Sequence, residues 1–92
     1  VVVEGHTDDT DIKTEKYPSN WELSTARAAS IVRLLVKQGV EGGRLVAAGF
    51  GATRPIKNII GLEGNSLVKA RKRNRRVEIF LSTLKGKSFK SY

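Results

Sequence analysis

The spacing of apolar residues changes along the chain, and each change predicts a new secondary-structure element. Residues 1–4 form an apolar run typical of a buried strand, which Gly5 is expected to end. Over residues 20–36, apolar positions recur every three or four residues and predict a helix. Ser19, with a glutamate three residues later, fits the start of that helix, with Asn20 as a competing cap, and Gly39 fits its end.

Three later segments complete the predicted architecture. Residues 44–49 and 77–81 read as short strands, residues 65–73 read as a short helix, and residues 56–64 fit neither pattern. A strand, a helix and a second strand in this order predict a parallel crossover. We therefore predict an α/β (α+β) two-layer sandwich, with a mixed sheet, helices on one face and the order β-α-β-α-β.

The parallel strands determine where functional side chains should gather. Segments that follow the carboxyl ends of parallel strands meet at one rim of the sheet. Residues 6–9 and 50–53 follow such ends, so we expect them at the same rim. The start of the first helix should lie there too, and its partial positive charge favours carboxylates nearby.

One arginine stands where the helical pattern expects an apolar residue. At about 100° per residue, Arg27 falls within an apolar face, expected to pack on the core, that is formed by Leu23, Ile31, Leu34 and Leu35. A guanidinium on an apolar face needs an anion, and the best candidates are the carboxylates of residues 8–11. Alternatively, Arg27 reaches water along its methylene groups. An arginine and an aspartate at a surface pocket can together bind a ligand that carries an ammonium and a carboxylate.

Composition narrows the classes of function. The formal net charge of +8 favours anionic partners. Cysteine is absent, so disulfides and thiolate metal sites are excluded. No apolar run is long enough to cross a bilayer, and no segment resembles a signal peptide. Because the chain lacks methionine and opens directly in a predicted strand, we expect it to be a piece of a longer protein.

Catalytic, metal and cofactor sites are weakly indicated. No second histidine follows residues 6–11 at ligand spacing, and their carboxylates lack the spacing of a calcium loop, so no metal is expected. A triad of Ser24, His6 and Asp8 lacks the strand-turn-helix motif around its serine, so the chain is not expected to be an enzyme. Residues 49–51 supply only half of a dinucleotide-binding motif, so no cofactor is expected.

A basic run offers a competing interpretation. Six of the eight residues over 69–76 are lysine or arginine, which suits binding to phosphates. No aromatic stacking platform accompanies this run. Binding of nucleic acid or another anionic polymer is therefore kept as the less favoured alternative.

Several short motifs occur together in the order and approximate spacing of a known family. The chain resembles the OmpA-like peptidoglycan-binding domain over residues 1 to about 82. The motifs are Gly5-His6-Thr7-Asp8, Asn20-x-x-Leu23-Ser24-x-x-Arg27-Ala28, Gly49-x-Gly51-x-x-x-Pro55 and Asn74-Arg75-Arg76-Val77-Glu78. The amino-acid sequence of residues 17–24 and the long loop before them are most similar to those of flagellar stator subunits of the MotB/PomB type.

The resemblance implies a non-catalytic module that binds the peptide stem of peptidoglycan. It implies that Asp8 and Arg27 hold the ammonium and carboxylate of diaminopimelate. It places Asn20, Leu23 and Arg75 at the same pocket, with Arg73 and Arg76 as rivals for the role of Arg75. Thr7 and Ser24 are further candidates.

The resemblance also implies partners and a location. A stator subunit would sit in the periplasm, anchored in the inner membrane and dimeric, and would pair with a MotA-type subunit through a membrane helix N-terminal to this segment. The alternative owner is an outer-membrane protein or lipoprotein with the same domain. We predict one domain over residues 1–83, lacking its usual first strand and helix, and a flexible basic tail over 84–92. Residues 55–74 are longer than the family pattern.

Overall fold

The computed structural model describes residues 1–83 and 86–91, with side chains as far as residue 81. The elements in chain order are β1 (Val2–His6), α1 (Asn20–Lys37), a 3-10 turn (Gly42–Arg44), β2 (Val46–Gly49), α2 (Gly64–Asn74), β3 (Arg76–Thr83) and β4 (Gly86–Ser91). Within these described residues, neither helix combines the length and the apolar character needed to span a bilayer.

The strands form one mixed sheet in the order β2-β1-β3-β4. β1 pairs in parallel with β2 and antiparallel with β3, and β3 pairs antiparallel with β4. The predicted fold class and the parallel pairing of the first two strands are therefore confirmed. The carboxyl ends of β1 and β2 lie at the same rim, where the backbone N–H of Thr7 donates to the carbonyl of Gly51 at 2.9 Å.

The predicted ends of the first helix agree with the structure. The Ser19 hydroxyl accepts the backbone N–H of Trp21 at 3.2 Å and donates to the Glu22 carboxylate, which fixes the first turn. At the other end Gly39 has φ of 103°, a left-handed conformation that glycine adopts without steric cost.

Gly5 does not end the first strand, contrary to prediction. It continues β1 and pairs with Gly49 on one side and Val77 on the other. A Cβ atom at this position would lie 2.0 Å from the carbonyl oxygen of Ser24 in α1. The glycine is required because the helix backbone approaches the strand closely, and not because the chain turns.

The face of α1 that packs on the sheet differs from the predicted one. Its fully buried residues are Ser24 and Ala28, whereas Leu34, predicted to face the core, is 51% exposed. Small residues are selected here because the helix lies so close to β1 and β2. The packed face is therefore rotated from the leucine-rich stripe, and Arg27 lies beside this face rather than within it.

The prediction of a flexible tail over residues 84–92 is wrong for Gly86–Ser91, which form β4. Without β4, the outer edge of β3 would present unpaired backbone N–H and C=O groups. β4 pairs with that edge from Glu78 to Thr83. Residues 84, 85 and 92 lie outside the described residues.

We predict that Gly5→Ala destabilises the fold by about 3 kcal/mol, because the added methyl group meets the helix backbone, which cannot rotate away. Gly43→Ala is the matched control, since a Cβ there meets no atom within 4 Å. Urea unfolding of both variants measures the difference. Equal free energies of unfolding would contradict the close contact between β1 and α1.

Candidate functional site

Asp8 follows β1 at the rim, and both of its carboxylate oxygens are hydrogen-bonded. Oδ1 accepts the backbone N–H of Thr10 at 2.9 Å, and Oδ2 accepts Nη1 of Arg75 at 2.5 Å. The Asp8 side chain is 9% exposed, whereas that of Arg75 is 42% exposed. An ionised carboxylate has about four lone-pair positions, so Asp8 can still accept donors from a ligand. Arg75 likewise has further N–H donors that face solvent.

Asp9 is held by a second arginine. Arg71 donates Nε and Nη2 to the two oxygens of Asp9 at 3.0 and 2.9 Å, a bidentate contact between α2 and the loop after β1. The hydrogen bond from Arg71 lowers the pKa of the Asp9 carboxyl, and the same contact raises the pKa of Arg71. Two adjacent aspartates are therefore fixed by two arginines that lie four residues apart.

Three other predicted residues support or border this loop. Asn20, the first residue of α1, donates Nδ2 to the carbonyl of Thr10 at 3.0 Å. Thr7 is buried, and its hydroxyl donates to the carbonyl of Asp8 at 3.0 Å. Leu23 is half-buried one turn after Asn20, on the same flank of the helix. The structure thus brings Thr7, Asp8, Asn20 and Arg75 to one rim.

Ser24 is not available to a ligand, which corrects its place among the predicted site residues. It has no exposed surface. Its hydroxyl donates to the carbonyl of Trp21 at 3.0 Å and accepts the backbone N–H of Gly51 at 2.9 Å. Ser24 therefore holds the loop after β2 against α1. The imagined triad is not assembled either, because His6 lies on the opposite face of the sheet.

Arg27 does not pair with the carboxylates of residues 8–11, and the alternative, in which it reaches water, agrees with the structure. Arg27 is exposed, and within the part of the chain that the structure describes it makes no hydrogen bond or ion pair. The carboxylates expected to neutralise it are bound by Arg75 and Arg71. Asn20, Leu23 and Arg27 nevertheless occupy one helical flank, and side chains on a helix lean toward its N-terminus, which here is the rim. Arg27 is therefore an exposed cation on the flank of α1 that begins at Asn20.

Two surface pockets border the loop after β1 that carries Asp8, Asp9 and Asp11, which we call the acidic loop. One, of about 360 Å³, lies between this loop and the segment after Pro55, and Thr7, Asp9 and Ile59 line it. The other, of about 400 Å³, lies against the start of α1, and its lining includes Asp11, Asn20 and Trp21. Ala52 lines both pockets. A chain-like ligand can therefore extend to either side of the loop.

Asn74 positions the longer segment of this rim. Its buried side chain accepts the backbone N–H groups of Ile56 and Lys57 at 3.0 and 2.9 Å, and it donates to the carbonyl of Lys57 at 3.1 Å. Residues 56–63 form no helix or strand. One amide at the end of α2 thus replaces regular secondary structure in fixing one wall of the first pocket.

The basic run does not form one uniform patch. Arg71 and Arg75 are paired with Asp9 and Asp8, as described above. Arg76 is buried on the other face of the sheet, where Nε donates to Oε1 of Glu78 at 2.5 Å. Half of the run's six cations are therefore bound to carboxylates, and Lys69, Lys72 and Arg73 remain exposed.

The sheet face opposite α1 carries a polar cluster that the sequence analysis did not find. Glu4 and His6 project from β1, and Glu78 projects from β3 directly opposite Glu4. The His6 ring is 1% exposed and stacks on Phe50 with 5.3 Å between ring centroids. Burial is the main cause that lowers the pKa of His6, and Arg76 adds to it, while Glu78 and Glu4 act in the opposite sense. The available signal was the spacing of two between polar residues in each strand, Glu4 and His6 in β1 and Arg76 and Glu78 in β3.

Comparison with known proteins identifies the family to which this chain belongs. The OmpA family model matches residues 1–75, so the chain belongs to the OmpA family. Motility protein B of Helicobacter pylori (strain 26695) is 36% identical over 81 residues, covering 88% of this chain and 29% of that protein. The uncharacterized protein YtxE of Bacillus subtilis (strain 168) is 40% identical over 89 residues, covering 96% of this chain and 34% of that protein. The chain thus spans about a third of the length of these relatives.

Solved structures agree with this assignment. The C-terminal domain of Helicobacter pylori MotB superposes with a TM-score of 0.69 at 28% identity, covering 97% of this chain and 57% of that one. The cell wall anchor of the T6SS from Pseudomonas aeruginosa gives a TM-score of 0.69 at 41% identity, covering 83% of this chain and 49% of that one. The predicted OmpA-like, MotB-like character is confirmed.

The buried histidine predicts a pH dependence of stability. Because the pKa of His6 is lowered from its ordinary value of 6.5, the folded state binds fewer protons than the unfolded state. We expect the free energy of unfolding to be constant above that value and to fall as the pH decreases below it. For a single proton, the free energy of unfolding can change by at most about 1.4 kcal/mol per pH unit. Urea unfolding over about one pH unit on either side of 6.5 measures the slope.

His6→Asn is the control for this slope, since His6 is the only histidine in the chain. The variant should lose the pH dependence above the range where carboxylates titrate, whatever its absolute stability. A slope that persists in the variant would assign the effect to other groups.

Proposed function

We propose that this chain is a non-catalytic module that binds the peptide stem of peptidoglycan and anchors the protein that carries it to the cell wall. The observation that carries the proposal is the Asp8–Arg75 ion pair at the rim, 2.5 Å between Oδ2 and Nη1, with unpartnered Arg27 on the adjacent helix flank. The family assignment and the MotB and cell wall anchor structures support it.

The ligand centre that suits this rim is a zwitterion such as the free end of diaminopimelate. An ammonium can bind the unused lone pairs of Asp8, which is preoriented by Thr10 and Arg75. A carboxylate can then bind a guanidinium, and the two candidates are Arg75 at the rim and Arg27 on the flank of α1 that starts there. Arg27 is the better candidate for a new contact, because its charge is not already balanced by a protein carboxylate. Charge-assisted hydrogen bonds of this kind contribute about 1.5–3 kcal/mol each.

The protein that carries this module is, in our proposal, a flagellar stator subunit. Motility protein B sequences and MotB periplasmic domain structures recur among its relatives. On that basis we place the module in the periplasm, in a dimeric protein that is anchored in the inner membrane and works with a MotA-type subunit. An outer-membrane protein is the alternative owner, since Outer membrane porin F of Pseudomonas aeruginosa is 43% identical over 77 residues.

Binding to an anionic polymer through residues 69–76 is the second candidate function. The three exposed cations Lys69, Lys72 and Arg73 favour it. The pairing of the other three with Asp9, Asp8 and Glu78 weighs against it, because those charges are already neutralised.

Pulldown on purified peptidoglycan sacculi tests the wall-binding proposal. We predict that Asp8→Asn and Arg27→Ala each weaken retention by about tenfold or more, because each removes one charge-assisted contact. Free diaminopimelate should compete with the parent chain. Circular dichroism of each variant confirms that the fold is retained, since Asp8 also binds Arg75.

Arg33→Ala is the matched control for Arg27→Ala. Arg33 is an exposed arginine on the same helix, where it donates only to Ser30. It should not change retention. If Asp8→Asn and Arg27→Ala were both retained like the parent chain, the proposed pocket would be wrong.

Charge reversal at Lys69, Lys72 and Arg73 separates the two candidate functions. We expect sacculus retention of the triple variant to stay within about twofold, because none of the three contacts the rim carboxylates and exposed charges act weakly at physiological salt. Retention is measured at about 0.15 M salt. A collapse of binding, insensitive to diaminopimelate, would favour the polymer reading.

A further inference from the structure

We propose that Glu4, His6 and Glu78 form a binding site for a divalent transition metal, with Zn²⁺ as the best match, on the sheet face opposite α1. The three residues offer two carboxylates and one imidazole, all of them side chains that ligate zinc. Their placement follows from the strand register: Glu4 and His6 are two apart on β1, and Glu78 lies opposite Glu4 on β3. This site does not share a residue with the proposed peptidoglycan pocket.

The distances suit a common metal ion. Nε2 of His6 lies 3.3 Å from Oε1 of Glu4 and 3.8 Å from Oε2 of Glu78, and the candidate ligand atoms all lie within 4.8 Å of one another. Tetrahedral zinc with bonds of about 2.0–2.1 Å needs ligand atoms about 3.3–3.5 Å apart. Small side-chain rotations are therefore sufficient to bring the three atoms around one ion.

The charge balance of the cluster favours a cation. Glu4 and Glu78 face each other across two strands, an arrangement that is unfavourable for two like charges. Arg76 neutralises only one of them, through its Nε contact with Oε1 of Glu78. Glu4 instead contacts the imidazole of His6, which is a metal ligand in its neutral form. With a neutral imidazole, these four side chains carry a formal net charge of −1, which favours the binding of a cation.

The residues around the cluster favour a site with ordered side chains and a moderate affinity for metal. Arg76 is fixed by donating Nη1 and Nη2 to the carbonyls of Asn74 and Arg54, and it therefore orients the free oxygen Oε2 of Glu78 toward His6. Stacking on Phe50 fixes the imidazole plane. Nδ1 of His6, which would carry the ring proton, has no partner among the described side chains. Because such a partner normally strengthens a zinc–histidine bond, we expect micromolar rather than nanomolar affinity.

The presence of a single histidine allows a direct test with the 92-residue chain. Zn²⁺ is titrated into the chain near neutral pH in two experiments. NMR records the ¹⁵N resonances of the His6 ring, and calorimetry records the heat of binding. We expect one equivalent to bind with a shift of the Nε2 resonance. Glu4→Gln, which keeps the shape of the side chain, should weaken binding by about tenfold or more. Mg²⁺ should not compete, since it avoids imidazole.

Glu41→Gln is the control, an exposed carboxylate in the turn before β2. It should bind Zn²⁺ like the parent chain. The proposal is overturned if Zn²⁺ leaves the His6 ring resonances unmoved, if Glu4→Gln binds as tightly as the parent, or if binding depends on Asp9 or Asp11 instead. Sacculus retention does not depend on this site, so failure here leaves the wall-binding proposal standing, and the reverse also holds.

Discussion

The close approach of α1 to β1 is the constraint on which the rest of the structure depends. Gly5 leaves no side chain between the strand and the carbonyl of Ser24, and the Ser24 hydroxyl in turn holds the backbone of Gly51. This contact fixes the start of the helix at the rim where β1 and β2 end. Asn20 can then bind the carbonyl of Thr10, and the acidic loop is placed beside Arg75. A helix packed on leucines at the usual distance would not bring these groups together.

Charge pairing at the rim neutralises two of the cations that contribute to the net charge of +8. Arg71 and Arg75 are one helical turn apart near the end of α2, and they bind two adjacent aspartates after β1. The pairs link segments more than 60 residues apart in the chain, so they are tertiary contacts that orient the loop. They also place a carboxylate and a guanidinium, Asp8 and Arg75, side by side at the rim, as the proposed zwitterionic ligand would need. The long side chain of Arg27 adds a positive charge that is not paired with any of the described side chains.

Sequence reasoning succeeded where local periodicity and capping determine structure. The Ser19 cap and the glycine cap at Gly39 follow from rules that act over a few residues, and the parallel pairing of β1 with β2 follows from the strand-helix-strand order. It failed where the distance between helix and sheet decides. Gly5 was predicted to end the strand, Ser24 to be a ligand-binding candidate and Leu34 to lie on the apolar face of the helix. All three assignments change once the helix lies close to the sheet. The pairing of Asp8 with Arg75 instead of Arg27 also depends on how α2 meets the loop. The cluster of Glu4, His6 and Glu78 required the strand register, which no single segment encodes.

NMR titration of the isotopically labelled chain with a diaminopimelate-containing muropeptide tests the central claim most directly. The account predicts that the backbone amide of Thr10 and the Nε resonances of Arg27 and Arg75 shift together with one saturating curve, while the His6 ring on the opposite face does not move. Shifts confined to Lys69, Lys72 and Arg73, or no saturable shift at the acidic loop, would contradict it.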